Sequence, residues 1–331
     1  MDVISYDCVM QQAGNTCPHL LLGNGFSVAC DTRFGYTSLV DVASQVGAID
    51  QQLVDVFDHL CTANIEGVMQ EFNEAAWLAQ HFGVQLPFVS QCVDQLREAF
   101  LAALTVVHPD TWAPIDHDRM EICAAFVEPY GRVFTTNYDL LLYWVLNEVG
   151  PQREDSFGNW GDAPGLLTFS RAGLSTATMF YLHGALHLYE SADWTVKRRR
   201  CGTDPLLTSI RAELAAGEVP LFVSEGSAGA KAARVAASEY LSTCMQVLRN
   251  TDGTLVIYGH SLSDADAHIR AAIAEARGLD RLFVGLYGDP DSPSNATTRG
   301  AAERIAAERQ AFGGPAVQVH YYDSSTARVW G

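Results

Sequence analysis

The stretch His19-Leu20-Leu21-Leu22-Gly23-Asn24-Gly25-Phe26-Ser27 decides the fold of this chain. Its first half is a short apolar run bounded by glycine, which predicts a buried β-strand. Gly23 and Gly25 permit a tight turn from strand to helix, where backbone N–H groups at the helix N-terminus can approach a phosphate group. Short glycine motifs are common, so a plain glycine-rich turn remains the alternative, with Asn24 and Ser27 as cap and first-turn residues.

Two later stretches repeat this arrangement of an apolar run followed by polar residues. Arg132-Val133-Phe134 precedes Thr135-Thr136-Asn137-Tyr138-Asp139, and Thr178-Met179-Phe180-Tyr181 precedes Leu182-His183-Gly184. Open α/β sheets bind their ligands at the carboxyl ends of parallel strands. We therefore expect one crevice to collect the polar side chains that follow the three strands, namely Asn24, Ser27, Asn137, Asp139 and His183.

These polar residues differ in the chemistry they can supply. The amide of Asn137 can donate and accept hydrogen bonds at once, which suits ribose hydroxyls or a water molecule, although a structural turn residue is the alternative. The imidazole of His183 titrates in the range that general acid–base catalysis requires, and Gly184 is expected to leave room for a ligand beside it. For Asp139 the preferred interpretation is the N-cap of the next helix.

The order of strand and helix patterns predicts an α/β fold, a Rossmann-like parallel sheet with an inserted helical module. Further strands are expected at residues 221–223, 254–258, 281–287 and 316–321, and helices at 231–248, 264–276 and 295–312. Between about residues 39 and 126 apolar residues recur at three- and four-residue steps, which predicts four or five helices. The predicted domains are therefore residues 1–38 with 131–331, and the module at 39–130.

Two stretches are expected to be connections. Residues 150–173 are rich in Gly, Pro and Asp, which predicts a connection. An exposed hairpin or loop is expected at residues 194–200, which contain the basic cluster Lys197-Arg198-Arg199-Arg200. A solvated face is the default interpretation of such a cluster, with a partner contact or a channel for an anionic ligand as alternatives.

The composition restricts the classes of partner. The chain has 331 residues, 39 acidic and 21 basic side chains and a formal net charge of −18, which opposes binding to nucleic-acid phosphates or anionic membranes. The first residues show no basic segment followed by an apolar one, and no apolar run reaches about 18 residues, so we expect a cytoplasmic protein without a membrane span. The eight cysteines show no Cys-x-x-Cys spacing and are expected to be reduced thiols.

The three polar stretches, in this order, resemble the marks of the sirtuin-type NAD-binding domain, which are a Gly-x-Gly-x-Ser turn, a Thr-x-Asn-x-Asp turn and a His-Gly pair. A narrower resemblance, to bacterial sirtuin-like proteins of the anti-phage-defence type, rests on Leu22-Gly23-Asn24-Gly25-Phe26-Ser27, residues 220–226 and Tyr258-Gly259-His260-Ser261-Leu262. That group includes a family catalogued only as a domain of unknown function. The resemblance spans roughly residues 15–325.

The resemblance implies that NAD is the substrate and that the nicotinamide–ribose bond is cleaved. It implies that Asn137 and His183 are catalytic, with Asn137 orienting the ribose or the attacking water and His183 acting as the base. The cofactor-binding residues that it implies are Gly23, Asn24, Gly25, Phe26, Ser27, Arg33, Thr136, Asp139, Gly259, His260 and Ser261.

The chain departs from deacylating sirtuins at their structural zinc module. Only Cys201 and Cys244 follow His183, so four-thiolate zinc ligation is not available there. The histidines at 183, 187 and 260 show no sharp ligand spacing, and we expect no metal. Water is therefore the expected acceptor, with nicotinamide and ADP-ribose as products.

Two other functions remain open: a non-catalytic sensor of NAD or ADP-ribose, and an NAD-dependent deacylase or ADP-ribosyltransferase. Because uncontrolled NAD hydrolysis is toxic, the resemblance to defence proteins also implies gating by a protein partner, by phage material or by assembly into a homo-oligomer. We expect the helical module at residues 39–130 to control activity without forming the cofactor site.

Overall fold

A computed structural model describes residues 2–14, 17–158, 166–190, 196–199, 206–223 and 227–331. Within these residues the chain forms eleven strands and thirteen α-helices. The strands are β1 (Val3–Ile4), β2 (His19–Leu22), β3 (Val133–Thr135), β4 (Phe157–Gly158), β5 (Leu166–Phe169), β6 (Met179–Tyr181), β7 (Leu188–Glu190), β8 (Val196–Arg199), β9 (Asp252–Tyr258), β10 (Gly278–Leu286) and β11 (Gln318–Asp323).

Seven of the strands form one sheet in the order β1-β11-β10-β9-β2-β3-β6, and every neighbouring pair is parallel. Leaving β1 aside and numbering the others along the chain, the order from β6 is 3-2-1-4-5-6, which is that of the dinucleotide-binding Rossmann fold. The Rossmann-like parallel sheet predicted from the sequence is confirmed. The strand order reverses between β2 and β9, and open α/β sheets form their binding crevice at such a switch point.

The central strand β2 shows why the sheet must be covered on both faces. Its residues Leu20, Leu21 and Leu22 are all fully buried. Successive side chains of a strand point to opposite faces, so a run without alternation requires apolar cover on each side. This burial explains why the opening stretch of leucines predicts a strand inside a parallel sheet.

The helices are α1 (Tyr6–Ala13), α2 (Gly25–Cys30), α3 (Tyr36–Gln45), α4 (Gln51–His59), α5 (Ile65–His81), α6 (Phe88–Val107), α7 (His117–Val127), α8 (Leu141–Glu148), α9 (Leu206–Ala215), α10 (Ala228–Ala237), α11 (Glu239–Arg249), α12 (Ala267–Glu275) and α13 (Pro293–Ala311). Helices α3 to α7 follow one another between β2 and β3, where four or five helices are predicted. The inserted helices contact the sheet region, since Phe126 of α7 packs on Tyr258 of β9 at a ring-centroid distance of 5.5 Å and Phe100 of α6 packs on Tyr138, after β3, at 5.6 Å. In the described ranges no helix has the length and hydropathy that a bilayer-spanning segment needs.

A second sheet is absent from the sequence predictions. It is antiparallel, with the order β4-β5-β8-β7. Residues 150–173 therefore contain two strands, and the prediction of a plain connection there is wrong. These strands are short and pair with distant segments, as when Leu166 pairs with Arg199, so they leave little local periodicity. The side chains of the basic cluster at residues 197–200 lie outside the described part of the chain.

Two other element predictions are corrected. The single helix expected at residues 231–248 is two helices, α10 and α11, because the first ends before Ser238 and the Ser238 hydroxyl caps the second by accepting from Leu241 N–H. Residues 221–223 do not join the parallel sheet, since Phe222 forms only an isolated antiparallel bridge with Gly184. Residues 224–226 lie outside the described residues.

Candidate functional site

A pocket of about 210 Å³ lies at the carboxyl ends of the parallel strands, at the switch point between β2 and β9. Eight of the predicted site residues line it, namely Asn24, Thr136, Asn137, Asp139, His183, Gly259, His260 and Ser261. The remaining lining residues in the described part of the chain are Phe34, Tyr36, Leu39, Glu66, Phe100, Leu104, Tyr138, Lys231 and Asp266.

The amide of Asn137 is held by a buried chain of hydrogen bonds. Ser27 Oγ donates to Asp139 Oδ2 at 2.5 Å, and Asn137 Nδ2 donates to Ser27 Oγ at 2.9 Å. Because the Ser27 proton is committed to Asp139, Ser27 can only accept from Asn137, which fixes the orientation of the amide. Asn137 is 8% exposed, and its Oδ1 has no hydrogen-bond partner. A buried acceptor of this kind is uncommon and needs a donor from a water molecule or a ligand.

Asp139 both supports this chain and precedes helix α8. Its Oδ1 accepts from Leu141 N–H at 2.9 Å. Burial raises the pKa of the carboxyl group, while the hydrogen bonds from Ser27 and the Leu141 backbone oppose that rise. The prediction of Asp139 as the N-cap is wrong, because Leu140 occupies that position; Asp139 instead accepts from the first residue of the helix and orients Asn137 through Ser27.

His183 is buried and lies beside a second histidine that the sequence did not single out. Its Nε2 is 2.8 Å from His268 Nε2, and the two rings stack at a centroid distance of 5.0 Å. Burial holds the pKa of His183 well below its ordinary value, and burial lowers the pKa of His268 to about 4. Both rings are therefore neutral at pH 7, with one Nε2–H donating to the other Nε2.

A buried ammonium group joins the pocket floor to the inserted helices. Lys231 Nζ of α10 donates to Glu66 Oε2 of α5 at 3.0 Å and to Asp266 Oδ1 at 3.0 Å. Burial opposes the charge on Lys231, but the two carboxylates outweigh it and raise its pKa. Burial likewise opposes the charge on Asp266, but Lys231 and then His183 and His260 hold its pKa below the usual range.

The glycine turn after β2 packs directly against the turn after β9. A Cβ atom on Gly23 would lie 2.6 Å from the Gly259 carbonyl oxygen, and one on Gly25 would lie 2.6 Å from Gly259 Cα. Gly25 N–H donates to the Gly259 carbonyl at 2.8 Å, and the next two N–H groups donate to carbonyls within the turn. These amides are engaged inside the fold, so the geometry gives no support to the expected pyrophosphate cradle. Close packing of the two turns explains the glycines.

Three other residues of the predicted set do not line the pocket. Phe26 is fully buried, and its ring packs on Trp330 at a centroid distance of 5.1 Å. Ser27 is also fully buried and acts behind Asn137. Arg33 is exposed, and its guanidinium binds Asp31 at 2.6 Å. This placement does not support Arg33 as a cofactor-binding residue.

Gly184 also has a different role from the one expected. Its φ is +81°, and a Cβ atom there would lie 1.9 Å from the Leu221 carbonyl oxygen. The space beside the glycine is thus filled by backbone and is not left for a ligand. Val223 N–H donates to the His183 carbonyl at 2.9 Å, so the same close approach fixes the backbone of His183.

The inserted helices form one wall of the pocket. Leu39, Glu66, Phe100 and Leu104 belong to α3, α5 and α6 and line the cavity. The expectation that this module stays outside the site is therefore wrong. Apolar periodicity identifies the buried side of a helix but not the pocket that this side borders.

The sequence analysis missed a further group of site residues, Tyr36, Glu66, Tyr138, Lys231, Asp266 and His268. Asp266 follows β9 at the start of a helix, where capping is the usual role of an aspartate, but the structure gives its side chain no capping hydrogen bond to that helix. Its position after a strand end was the available signal. Glu66 and Lys231 are 165 residues apart, and nothing local links them.

One group of side chains in the described residues has the spacing of metal ligands within the pocket region. Ligand atoms of His183, Asp266 and His268 lie within 4.8 Å of one another. The Asp266 oxygen already binds the Lys231 ammonium at 3.0 Å, and that positive charge opposes a divalent cation. The expectation of no metal stays a prediction, which elemental analysis of the purified protein will check.

The sheet order and the polar pocket at the switch point define a Rossmann-like α/β protein with a helical insertion between its first two core strands. The chain belongs to the family described as Domain of unknown function (DUF4917), whose model matches residues 20–330. The match covers the whole pocket and every strand of the main sheet except β1. It begins at residue 20, one residue after the start of β2. No curated protein matches the sequence.

Proposed function

We propose that the protein is a hydrolase that cleaves the nicotinamide–ribose bond of NAD to give nicotinamide and ADP-ribose. The observation that carries the proposal is Asn137 Oδ1, which is buried without a partner in the pocket that His183 also lines. An unsatisfied buried acceptor costs free energy in the free protein, so we expect a ligand to satisfy it. A ribose hydroxyl or a water molecule supplies the hydrogen that this oxygen needs.

In the proposed reaction the bond between ribose C1′ and the nicotinamide nitrogen breaks, and nicotinamide leaves with the electron pair. The ribosyl carbon passes through an oxocarbenium-like state, as in glycoside hydrolysis. Water then bonds to C1′ through its oxygen, and its proton passes to the neutral imidazole of His183. Asn137 holds the ribose or this water in place.

The charges in the pocket favour the cationic states of this reaction. Two carboxylates, Glu66 and Asp266, face one ammonium, Lys231, so this group carries one excess negative charge. Asp139 adds another when it is ionised. Fixed negative charge in a site that excludes water stabilises a positive nicotinamide ring and an oxocarbenium-like centre.

The same charges limit which part of NAD the pocket takes. The volume of about 210 Å³ is smaller than the roughly 300–1,000 Å³ that is usual for ligand pockets. Among the described lining residues Lys231 is the sole Lys or Arg, and it is paired with two carboxylates. We therefore expect the nicotinamide and its ribose to enter the pocket and the diphosphate to lie outside it.

The biological context is proposed from the resemblance of the motifs to sirtuin-like defence proteins. The protein would be a cytoplasmic effector, and the described cysteines, which are all unpaired, fit a reducing compartment. Because loss of NAD harms the cell, we propose that a protein partner, a phage component or self-association controls the activity.

The test compares nicotinamide release from NAD by wild-type protein and by two variants, His183→Ala and Asn137→Ala. Each variant is expected to lose about 10²- to 10⁴-fold in rate. His183→Ala removes the base, and Asn137→Ala removes the side chain that holds the ribose or the water. His19→Ala is the control, since His19 is also buried, at 9% exposed against 3% for His183, but lies at the amino end of β2, away from the pocket. We expect calorimetry to show that Asn137→Ala still binds NAD.

Several outcomes would contradict the proposal. Full activity in a folded His183→Ala variant would exclude His183 as the base. Binding of NAD without any cleavage by the wild-type protein would favour the sensor. Nicotinamide release that requires an acetyl-lysine peptide would favour the deacylase.

A further inference from the structure

Lys231 is the most deeply buried charged group of the pocket. It is 1% exposed, and its ammonium is held between Glu66 Oε2 and Asp266 Oδ1, each at 3.0 Å. The three residues come from different elements, which are α10, α5 and the turn that begins α12. A buried ion pair contributes little net stability compared with apolar residues of similar volume. A role in the chemistry of the site therefore explains this lysine better than stability does.

The ammonium shares its carboxylate with the proposed base. Asp266 Oδ1, which accepts from Lys231, lies 4.0 Å from His183 Nε2. The other oxygen, Asp266 Oδ2, lies 3.8 Å from His260 Nε2. Lys231 therefore neutralises the one carboxylate that faces both histidines.

We propose that Lys231 is a positioning residue that holds Asp266 and keeps His183 in its neutral, proton-accepting form. The proposal rests on the function proposed above, because that function makes His183 the base. Without the ammonium, the Asp266 charge would favour a proton on His183. A histidine that is already protonated cannot take a proton from water.

Other titratable groups around His183 do not replace this effect. His268 lies at 2.8 Å but is neutral, and its ring is available as an acceptor for a protonated His183. His260 lies beyond Asp266 and is also neutral, because burial lowers its pKa. The Tyr138 ring stacks on His183 at 6.3 Å, and burial raises the pKa of its hydroxyl. Burial is the first cause of the low pKa of His183, and Asp266 and Lys231 are the charges that act on it next, Asp266 raising the pKa and Lys231 lowering it.

The experiment compares two double variants, K231M with E66Q and K231M with D266N. Each removes one positive and one negative charge from the same cluster, so the total charge and the number of lost ion pairs match. Only the first leaves the Asp266 carboxylate without its cation. The readout is the pKa of His183 from an NMR titration of the histidine ring signals, with the signal assigned through His183→Gln.

We expect the pKa of His183 to be higher in K231M/E66Q than in K231M/D266N by about 1 to 3 pH units, which is the usual effect of a nearby opposite charge. In K231M/E66Q, the acid limb of the pH profile of NAD cleavage should move in the same direction. Equal pKa values in the two double variants would overturn the proposal.

A charge-preserving variant gives an independent test. Lys231→Arg keeps the positive charge, so His183 should titrate below its ordinary range of about 6.5, as in the wild type. A rise of the His183 pKa in this folded variant to the level of K231M/E66Q would also overturn the proposal. The titration needs no NAD. A wild-type protein that does not cleave NAD would therefore contradict the proposed function, while the effect of Lys231 on the His183 pKa could still be measured.

Discussion

Two glycines with left-handed backbone conformation differ in what surrounds them. Gly184 follows the proposed base and has a φ of +81°, while Gly217 follows α9 and has a φ of +86°. A Cβ atom on Gly184 would lie 1.9 Å from the Leu221 carbonyl oxygen, whereas nothing lies within 4 Å of one on Gly217. Substituting each glycine by alanine therefore separates the free-energy cost of the left-handed backbone, present at both positions, from the cost of a steric clash, present only at Gly184.

We expect Gly184→Ala to lower the free energy of unfolding by about 3 kcal/mol or more, since it combines left-handed strain with overpacking. Gly217→Ala should cost only about 1–2 kcal/mol, because it carries the strain alone. Urea denaturation of both variants measures the difference. Equal losses would show that Leu221 moves away freely and that the His-Gly pair does not depend on this contact.

At the scale of elements, helix α13 closes the end of its neighbour α12 through one side chain. Arg309 is fully buried and donates to the carbonyls of Ala276 and Arg277 at 2.7 Å each, of Leu279 at 2.8 Å and of Pro315 at 2.7 Å. Ala276 is the C-cap of α12, and Leu279 belongs to β10. The guanidinium therefore supplies donors to carbonyls around the end of α12 and the start of β10, where the Ala276 carbonyl also accepts from Leu279 N–H at 3.0 Å.

We expect Arg309→Met to lower the free energy of unfolding by about 3 kcal/mol or more, because it removes four charge-assisted hydrogen bonds to carbonyls around a buried side chain. Arg304→Met is the control on the same helix, since Arg304 is exposed and binds Asp264 at 3.0 Å. Its cost should stay below about 1 kcal/mol. Thermal and urea unfolding compare the two variants, and a similar loss in both would contradict this account.

At the scale of the whole molecule, one apolar surface stands out on an acidic chain. The tip of the α5–α6 hairpin exposes large apolar side chains, namely Trp77, Leu78, Phe82, Val84 and Phe88. Residues 75–93 contain no Asp, Glu, Lys or Arg, although the chain carries a net charge of −18. Two copies that meet at this tip avoid the repulsion that opposes contact elsewhere on the surface. A second copy of the chain is therefore the partner that we expect for the tip.

We predict that the protein self-associates through this tip and that NAD cleavage per chain rises as it does. Phe82→Asp should shift light scattering toward the monomer at concentrations where the wild type is associated. Phe312→Asp is the control, because Phe312 is comparably exposed on another surface. A monomeric wild type with rapid turnover at every concentration, or a Phe82→Asp variant that stays associated, would contradict the prediction.

The sequence by itself determined the strand and turn units of the sheet and the polar residues at their ends. These features are local, since apolar runs, glycines and the residues after them lie within a few positions of one another. Asn137 and His183 were predicted as neighbours in one crevice, and both line the pocket. The alternation of strands and helices also predicted the parallel sheet.

Tertiary structure alone decided which of these groups are free to bind and which are already engaged. The Gly25 N–H is used by the Gly259 carbonyl, whose turn arrives more than two hundred residues later in the sequence. Lys231 meets Glu66 across 165 residues, and that contact makes the inserted helices part of the site. Local patterns predict where a group lies along its own element. Only the packing of distant elements decides its partners, because hydrogen bonds and ion pairs act over a few ångströms of space.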